Sequence, residues 1–270
     1  MYHALSPETA RFIDFMLDGE LLDVLSRKGK AGGGYCTVFP DYQSPFIFAN
    51  FNGTSDDIDV LTHEAGHAFA FFAARDVYPL ALRSPTNESC EVHSMAMEFF
   101  TWPWMDGFFG ENTGKYRLDH LSGALTFLPY GTMVDEFQHH VYENPGWSAR
   151  ERNACWLELE RAYRPWLRLD AVPFYGEGRR WQMQAHIYEV PFYYIDYCLA
   201  QTAALELWAR AQEDFKAAWE RYLLFVSQCG RQTFSGLLAH AGLRSPFSPG
   251  ALRAATETAS RWLAGQEKPG

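Results

Sequence analysis

Residues 61–76 read LTHEAGHAFAFFAARD, and this stretch constrains the chain more than any other. Ala65, Ala68, Ala70, Phe69, Phe71 and Phe72 make it apolar on most sides, so it reads as a helix that neighbours must cover. Two histidines and a glutamate inside so apolar a helix cost free energy unless they find partners. At 3.6 residues per turn, His63 and His67 lie about 40° apart and project from one face. Two imidazoles at that spacing can grip one Zn²⁺ at about 2.0–2.1 Å. Glu64 points about 100° from His63, where a carboxylate can take a proton from a zinc-bound water as general base. Gly66, inside the helix, costs about 1 kcal/mol against alanine and indicates a close approach to the backbone.

A catalytic zinc commonly has three protein ligands and one open position, so a third donor is needed. PTNESCEVHSMAMEFFTWPW (85–104) supplies candidates on a second helix. Glu91 is the expected ligand and Glu88 the competitor. Glu98 is placed to orient one imidazole as an acceptor. His93 lies about 200° around that helix from Glu91 and reads as structural, or as a support behind the ligands, rather than ligating.

The rest of the chain narrows the class. With 270 residues it can bury a large core. A net charge of −10 argues against nucleic acid or an anionic membrane as partner. The five cysteines are odd in number and include no CxxC pair, which suggests neither a disulfide framework nor a cysteine-based zinc site and fits a reducing compartment. No apolar stretch reaches the roughly 20 residues of a membrane span, and the N-terminus lacks a signal-peptide pattern. A soluble, cytoplasmic protein is the expectation.

Periodicity predicts a helix over residues 5–28, a glycine-rich loop over 28–36 and a strand at 45–55. Helices are predicted near 56–75, 88–106, 115–142, 148–163, 191–227, 231–241 and 249–265. Ser55 reads as the cap of the metal-motif helix. Asp135 and His139, at i,i+4 spacing, read as a structural pair. The fold class is therefore mainly α, with a small β-sheet near the N-terminal third, in one domain over residues 1–270. Pro191 favours a helix start, leaving His186 on the preceding loop. Tyr194 and Tyr197 then share a face, as do Tyr193 and Tyr197, and a phenol there could donate to a developing oxyanion.

HEAGH together with ESCEVHSMAMEFF, whose Glu91 stands 24 positions after His67, resembles the M3 metallopeptidases, specifically the oligoendopeptidase F and Pz-peptidase branch. GKAGGGYC, PFIFANFNGTSDDIDVLTHEAGHA, FLPYGTMVDEFQHHVYENP, HIYEVPFYYIDYCLAQ and LLAHAGLRSPFSPG extend the resemblance over nearly the whole chain. It implies a zincin-type helical catalytic domain that cuts short peptides in a channel between lobes. Carried over by position, it implies one Zn²⁺ on His63, His67 and Glu91, with Glu64 as the base. It also implies a substrate-binding His186, with Tyr193, Tyr194 or Tyr197 facing the scissile carbonyl. The strand containing Phe48, Ala49 and Asn50 would pair with the substrate backbone at an exposed sheet edge.

Relatives usually carry a long helical half before this motif, which arrives here at residue 63. The expected partners are an oligopeptide substrate and either self-association or a separate N-terminal half. The alternative function is a peptide-binding or partner-dependent subunit that binds zinc with little activity in isolation.

Overall fold

The computed structural model describes residues 1–266, which form two compact units: Met1–His120 with Ala200 onward, and Leu121–Leu199. The chain opens with Tyr2–Leu5 (α1) and Pro7–Asp18 (α2). Ser6 starts α2 through a reciprocal capping pair with Thr9, and Pro7 supplies a backbone angle already suited to the first turn. The helix predicted to reach residue 28 ends ten residues sooner. Glu20 takes a φ of 50°, and Leu22–Leu25 becomes a strand (β1). Its leucines suit either periodicity, and parallel pairing with a distant strand decides for the extended form.

Tyr35–Phe39 (β2) and Ser44–Phe51 (β3) complete a three-stranded sheet of order β1-β3-β2. β3 runs antiparallel to β2, with Tyr35 opposite Phe48, and parallel to β1, with Leu22 opposite Ile47. The expected substrate-pairing strand is thus the central one. Its exposed-edge role is corrected: β2 and β1 are the edges.

Asp56–Ala74 (α3) carries the HEAGH motif, and Asn87–Phe100 (α4) carries Glu91. Ser55 makes no side-chain cap; Asp57 instead accepts the backbone N–H groups of Asn52 and Gly53. Gly66 is where α3 meets α4. A methyl group there would lie 2.4 Å from the His93 carbonyl oxygen and 2.6 Å from Ser94 Cα, so only glycine permits the approach.

Beyond α4 come Asp106–Phe109 (α5), Thr113–Glu143 (α6), Ala149–Tyr163 (α7), Ala185–Glu189 (α8) and Tyr194–Glu213 (α9). The single helix predicted over 191–227 is broken. Asp214 leaves helical geometry and caps Phe215–Gln228 (α10) through the Ala217 N–H. Phe234–His240 (α11) and Ala251–Gln266 (α12) end the described chain.

In the first unit, aromatic side chains fill the space around α3 and α4. Phe12 packs on Phe69 and Phe72, Phe69 stacks on Trp219 and Tyr222, and Phe100 meets both of those rings. Tyr222 donates to the buried His93 carbonyl at 2.8 Å, tying α10 to α4. His93 itself is fully buried against Phe225, with no hydrogen-bond partner for either ring nitrogen among the described residues. Its structural reading stands on that packing. The second unit is built on Trp156, enclosed by Met133, Val134, Phe137, Leu159 and Trp181. No helix among the described residues is long and apolar enough to cross a membrane.

Candidate metal centre

α3 projects His63 and His67 together, their ring centroids 4.9 Å apart and nearly perpendicular. α4 brings Glu91 against them. Glu91 Oε2 lies 3.3 Å from His63 Nε2 and 3.7 Å from His67 Nε2. Donors held tetrahedrally at about 2.0–2.1 Å from one ion stand about 3.3 Å apart, so these separations suit a single cation. One donor atom from each residue falls within 4.8 Å of the others. Glu88, the competing carboxylate, is not part of this cluster.

The surroundings also favour a cation. Glu91 is 4% exposed, and Ser94 Oγ donates to its Oε2 at 3.2 Å. Glu98 Oε1 accepts from His63 Nδ1 at 2.6 Å. Burial would raise the Glu98 carboxyl, but hydrogen bonds from His120 and His63 outweigh it and hold it down at about 2. Burial keeps His67 at about 4, in the neutral form that binds metal. At His63 burial disfavours charge, and the bonds to Glu91 and Glu98 prevail and raise it. Cys90 Sγ stands 3.4 Å from His67 Nδ1, where a carboxylate or carbonyl is the usual neighbour.

Glu64 is 8% exposed and beside the cluster, next to the start of β2. A Cβ at Gly34 would lie 3.9 Å from its Oε1. Burial pushes its carboxyl up to about 7, against opposing pulls from His63 and the Cys36 backbone. A carboxyl with this affinity for protons is suited to accept one near neutral pH.

The three β3 positions expected to bind substrate are occupied by internal contacts. Phe48 stacks on Tyr35 at 4.9 Å and lies 4.4 Å below the Lys30 ammonium. Ala49 is fully buried, and its carbonyl accepts from Lys30 at 2.5 Å. Asn50 spends its amide hydrogens on the Ala31 and Gly33 carbonyls, tethering the glycine-rich loop. Phe48 pairs on both sides, opposite Asp23 and Tyr35, while the β2 ladder ends before Ala49 and Asn50.

In the second unit, His186 lies on α8 rather than on a loop, and the long helix begins at Tyr194, not Pro191. The His186 ring stands 5.0 Å from Tyr194, 5.8 Å from Tyr197 and 6.2 Å from Tyr193. Tyr130 donates to Gln184 Oε1 at 2.8 Å, so the Gln184 amide nitrogen faces His186 Nδ1, also at 2.8 Å. His186 Nδ1 therefore accepts, and its proton sits on Nε2. Burial raises the Tyr194 phenol and keeps it a donor. Asp135 and His139 pair at 3.4 Å.

Sequence reasoning missed His120, Trp102, Tyr116 and Asp59, which gather behind Glu98. His120 Nε2 lies 2.7 Å from Glu98 Oε2, and Tyr116 donates to Asp59 Oδ1 at 2.5 Å. Nothing in their spacing points to this, because α5 and two short 3-10 turns separate α4 from α6.

Comparison with known proteins places the chain among peptidases. The sequence profile of peptidase family M3 matches residues 13–256. Oligopeptidase PepF of Bacillus subtilis (strain 168) is 24% identical over 246 residues, covering 88% of this chain and 36% of that protein. A 3.1 Å X-ray structure designated oligoendopeptidase F is 52% identical with a TM-score of 0.94, covering 97% of this chain and 46% of that one. PZ peptidase A, solved with an inhibitor, is 50% identical with a TM-score of 0.94, covering 98% and 47%. The chain thus spans under half the length of the relatives it matches.

Proposed function

The chain belongs to peptidase family M3, and on that premise we propose that it is a zinc-dependent endopeptidase acting on short peptides. The observation that carries this reading is the convergence of His63 Nε2, His67 Nε2 and Glu91 Oε2 beside a buried Glu64. Two imidazoles and one carboxylate are a donor set that suits Zn²⁺ and leaves a position open. When bound, the ion would polarise the scissile carbonyl and make water more acidic.

Glu64 accepts the proton of the attacking water and returns it to the leaving amine. Such a positioned base contributes about 10²–10⁴-fold in rate. His186, through its Nε2–H, and Tyr194 and Tyr197, through their phenols, act as donors to peptide carbonyl oxygens, with Tyr193 packing beside them. The peptide backbone adds to the outer edge of β2, which no strand among the described residues pairs with. That edge begins at Tyr35, one residue from the glycine beside Glu64.

The test uses an internally quenched peptide blocked at both ends, which an exopeptidase cannot use. Glu64→Gln is expected to keep one zinc per chain by elemental analysis and to lose at least about 100-fold in kcat. Undiminished turnover by that variant would refute the proposed base.

A further inference from the structure

Glu98 accepts from His63 with one oxygen, and its other oxygen is held by a residue that no motif contains. His120 Nε2 lies 2.7 Å from Glu98 Oε2. On its far side, Trp102 Nε1 lies 3.2 Å from His120 Nδ1. An indole N–H can only donate, so Nδ1 must be the lone-pair nitrogen. Burial opposes charge on His120, and the bond to Glu98 outweighs it and raises the ring's affinity for a proton, while the indole acts the other way. The indole decides for the neutral ring, because a proton on Nδ1 would point at another donor. The single ring proton then sits on Nε2 and is donated to Glu98.

The ring cannot easily turn over. Phe99 meets it edge-on at 4.9 Å, Tyr116 stacks on it at 5.8 Å, and its side chain is 8% exposed. Tyr116 and His120 share one face of α6 by their i,i+4 spacing. Tyr116 reaches Asp59, one turn before His63 on α3, while His120 reaches Glu98 on α4. One helical turn of α6 therefore fastens both helices that carry the candidate ligands.

We propose that His120, locked in its Nε2–H tautomer by Trp102, is a positioning residue that anchors Glu98 and so makes His63 present Nε2 to the metal. The direction of each bond follows from the indole. Trp102 donates to His120, His120 donates to Glu98, and Glu98 as a pure acceptor takes the His63 Nδ1–H at 2.6 Å. When a cation replaces the proton that His63 shares with Glu91, the lone pair left for it is on Nε2, the atom 3.3 Å from Glu91. With an apolar side chain at 120, Glu98 loses its second anchor and can rotate away from His63, whose ring is no longer held in plane. The inference rests on the zinc reading above.

The experiment uses the full chain with histidine rings labelled with ¹⁵N, loaded with Zn²⁺. Long-range ¹H–¹⁵N spectra are expected to show His120 as the neutral Nε2–H tautomer and His63 protonated at Nδ1. A Nδ1–H tautomer at His120 overturns the proposal without any variant, so the test stands even if a substituted chain fails to fold. Competition with a fluorescent chelator then reads zinc affinity. His120→Leu is expected to weaken it about tenfold, within the range for partners of metal-bound histidines. His120→Gln can accept from Trp102 through its carbonyl and donate to Glu98 through its amide, and is expected to restore affinity to within about threefold of wild type. Equal affinity for wild type and His120→Leu overturns this inference alone. A wild-type chain that holds no zinc overturns the metal reading, and this inference with it.

Discussion

Replacing Gly66 with alanine tests the packing that brings the two ligand-bearing helices together. The new methyl carbon would stand 2.4 Å from the His93 carbonyl oxygen, 2.6 Å from Ser94 Cα and 2.9 Å from the His93 carbonyl carbon. All three are backbone atoms of α4, so no side chain can swing aside. Ordinary contact between such atoms is about 3.5–4.0 Å, and relief requires α3 and α4 to part by about 1 Å. Overpacking of this kind costs about 3 kcal/mol at the upper end of its usual range. Alanine recovers about 1 kcal/mol of helix propensity, leaving a net loss of about 2 kcal/mol. The same separation carries Glu91 away from His63 and His67, stretching contacts of 3.3 and 3.7 Å beyond what one ion can span. Zinc affinity should therefore fall even in chains that remain folded. Urea unfolding of the metal-free chain measures the first effect, and chelator competition below the unfolding transition measures the second. Wild-type stability together with wild-type affinity would show that the helices do not meet as described.

Three further outcomes follow from other sites. Glu64 stands at about 7 before a cation is added, and a nearby divalent ion favours its ionised form. As the base must be ionised, kcat/KM should rise with pH along a limb centred below 7; a limb above 7 would contradict the role given to Glu64. In the second unit, a Cβ at Gly131 would lie 2.3 Å from Cys198 Sγ. Gly131→Ala should cost about 1–3 kcal/mol in urea unfolding, and Cys198→Ala in the same chain should recover most of it. The Lys30 side chain is 1% exposed and donates to the carbonyls of Asp23, Leu25 and Ala49. Lys30→Met leaves those acceptors unpaired and should cost about 1–3 kcal/mol in thermal unfolding, and an unchanged melting temperature would argue against the sheet anchor.

The metal-motif helix was legible because everything it needed lies within one stretch of chain. An i,i+4 pair of histidines shares a face in any helix, whatever surrounds it. The expected close approach at Gly66 also followed locally, since glycine within an apolar helix is unfavourable unless space is short. The backbone of His93 and Ser94 is what fills that space. Leu22–Leu25 was misread for the opposite reason. Its leucines satisfy a helical stripe, and the competing term is a parallel ladder with residues some 25 positions away. β3 was legible as a strand from its composition, but not as the central one. Whether a strand is an edge depends on what pairs beside it, which its own side chains do not encode.

Local sequence determined the helical character of this protein, two candidate ligands and a base in one turn, and the glycine between them. Periodicity and capping act over a few residues and can be read without a fold. Tertiary structure alone decided that β3 is the central strand, with β1 and β2 at the edges. It also decided that Trp102 and His120 stand behind Glu98. Those outcomes depend on how separate helices and strands cross, and crossing is set by the summed packing of Phe69, Phe100, Trp219 and Tyr222 rather than by any spacing along the chain.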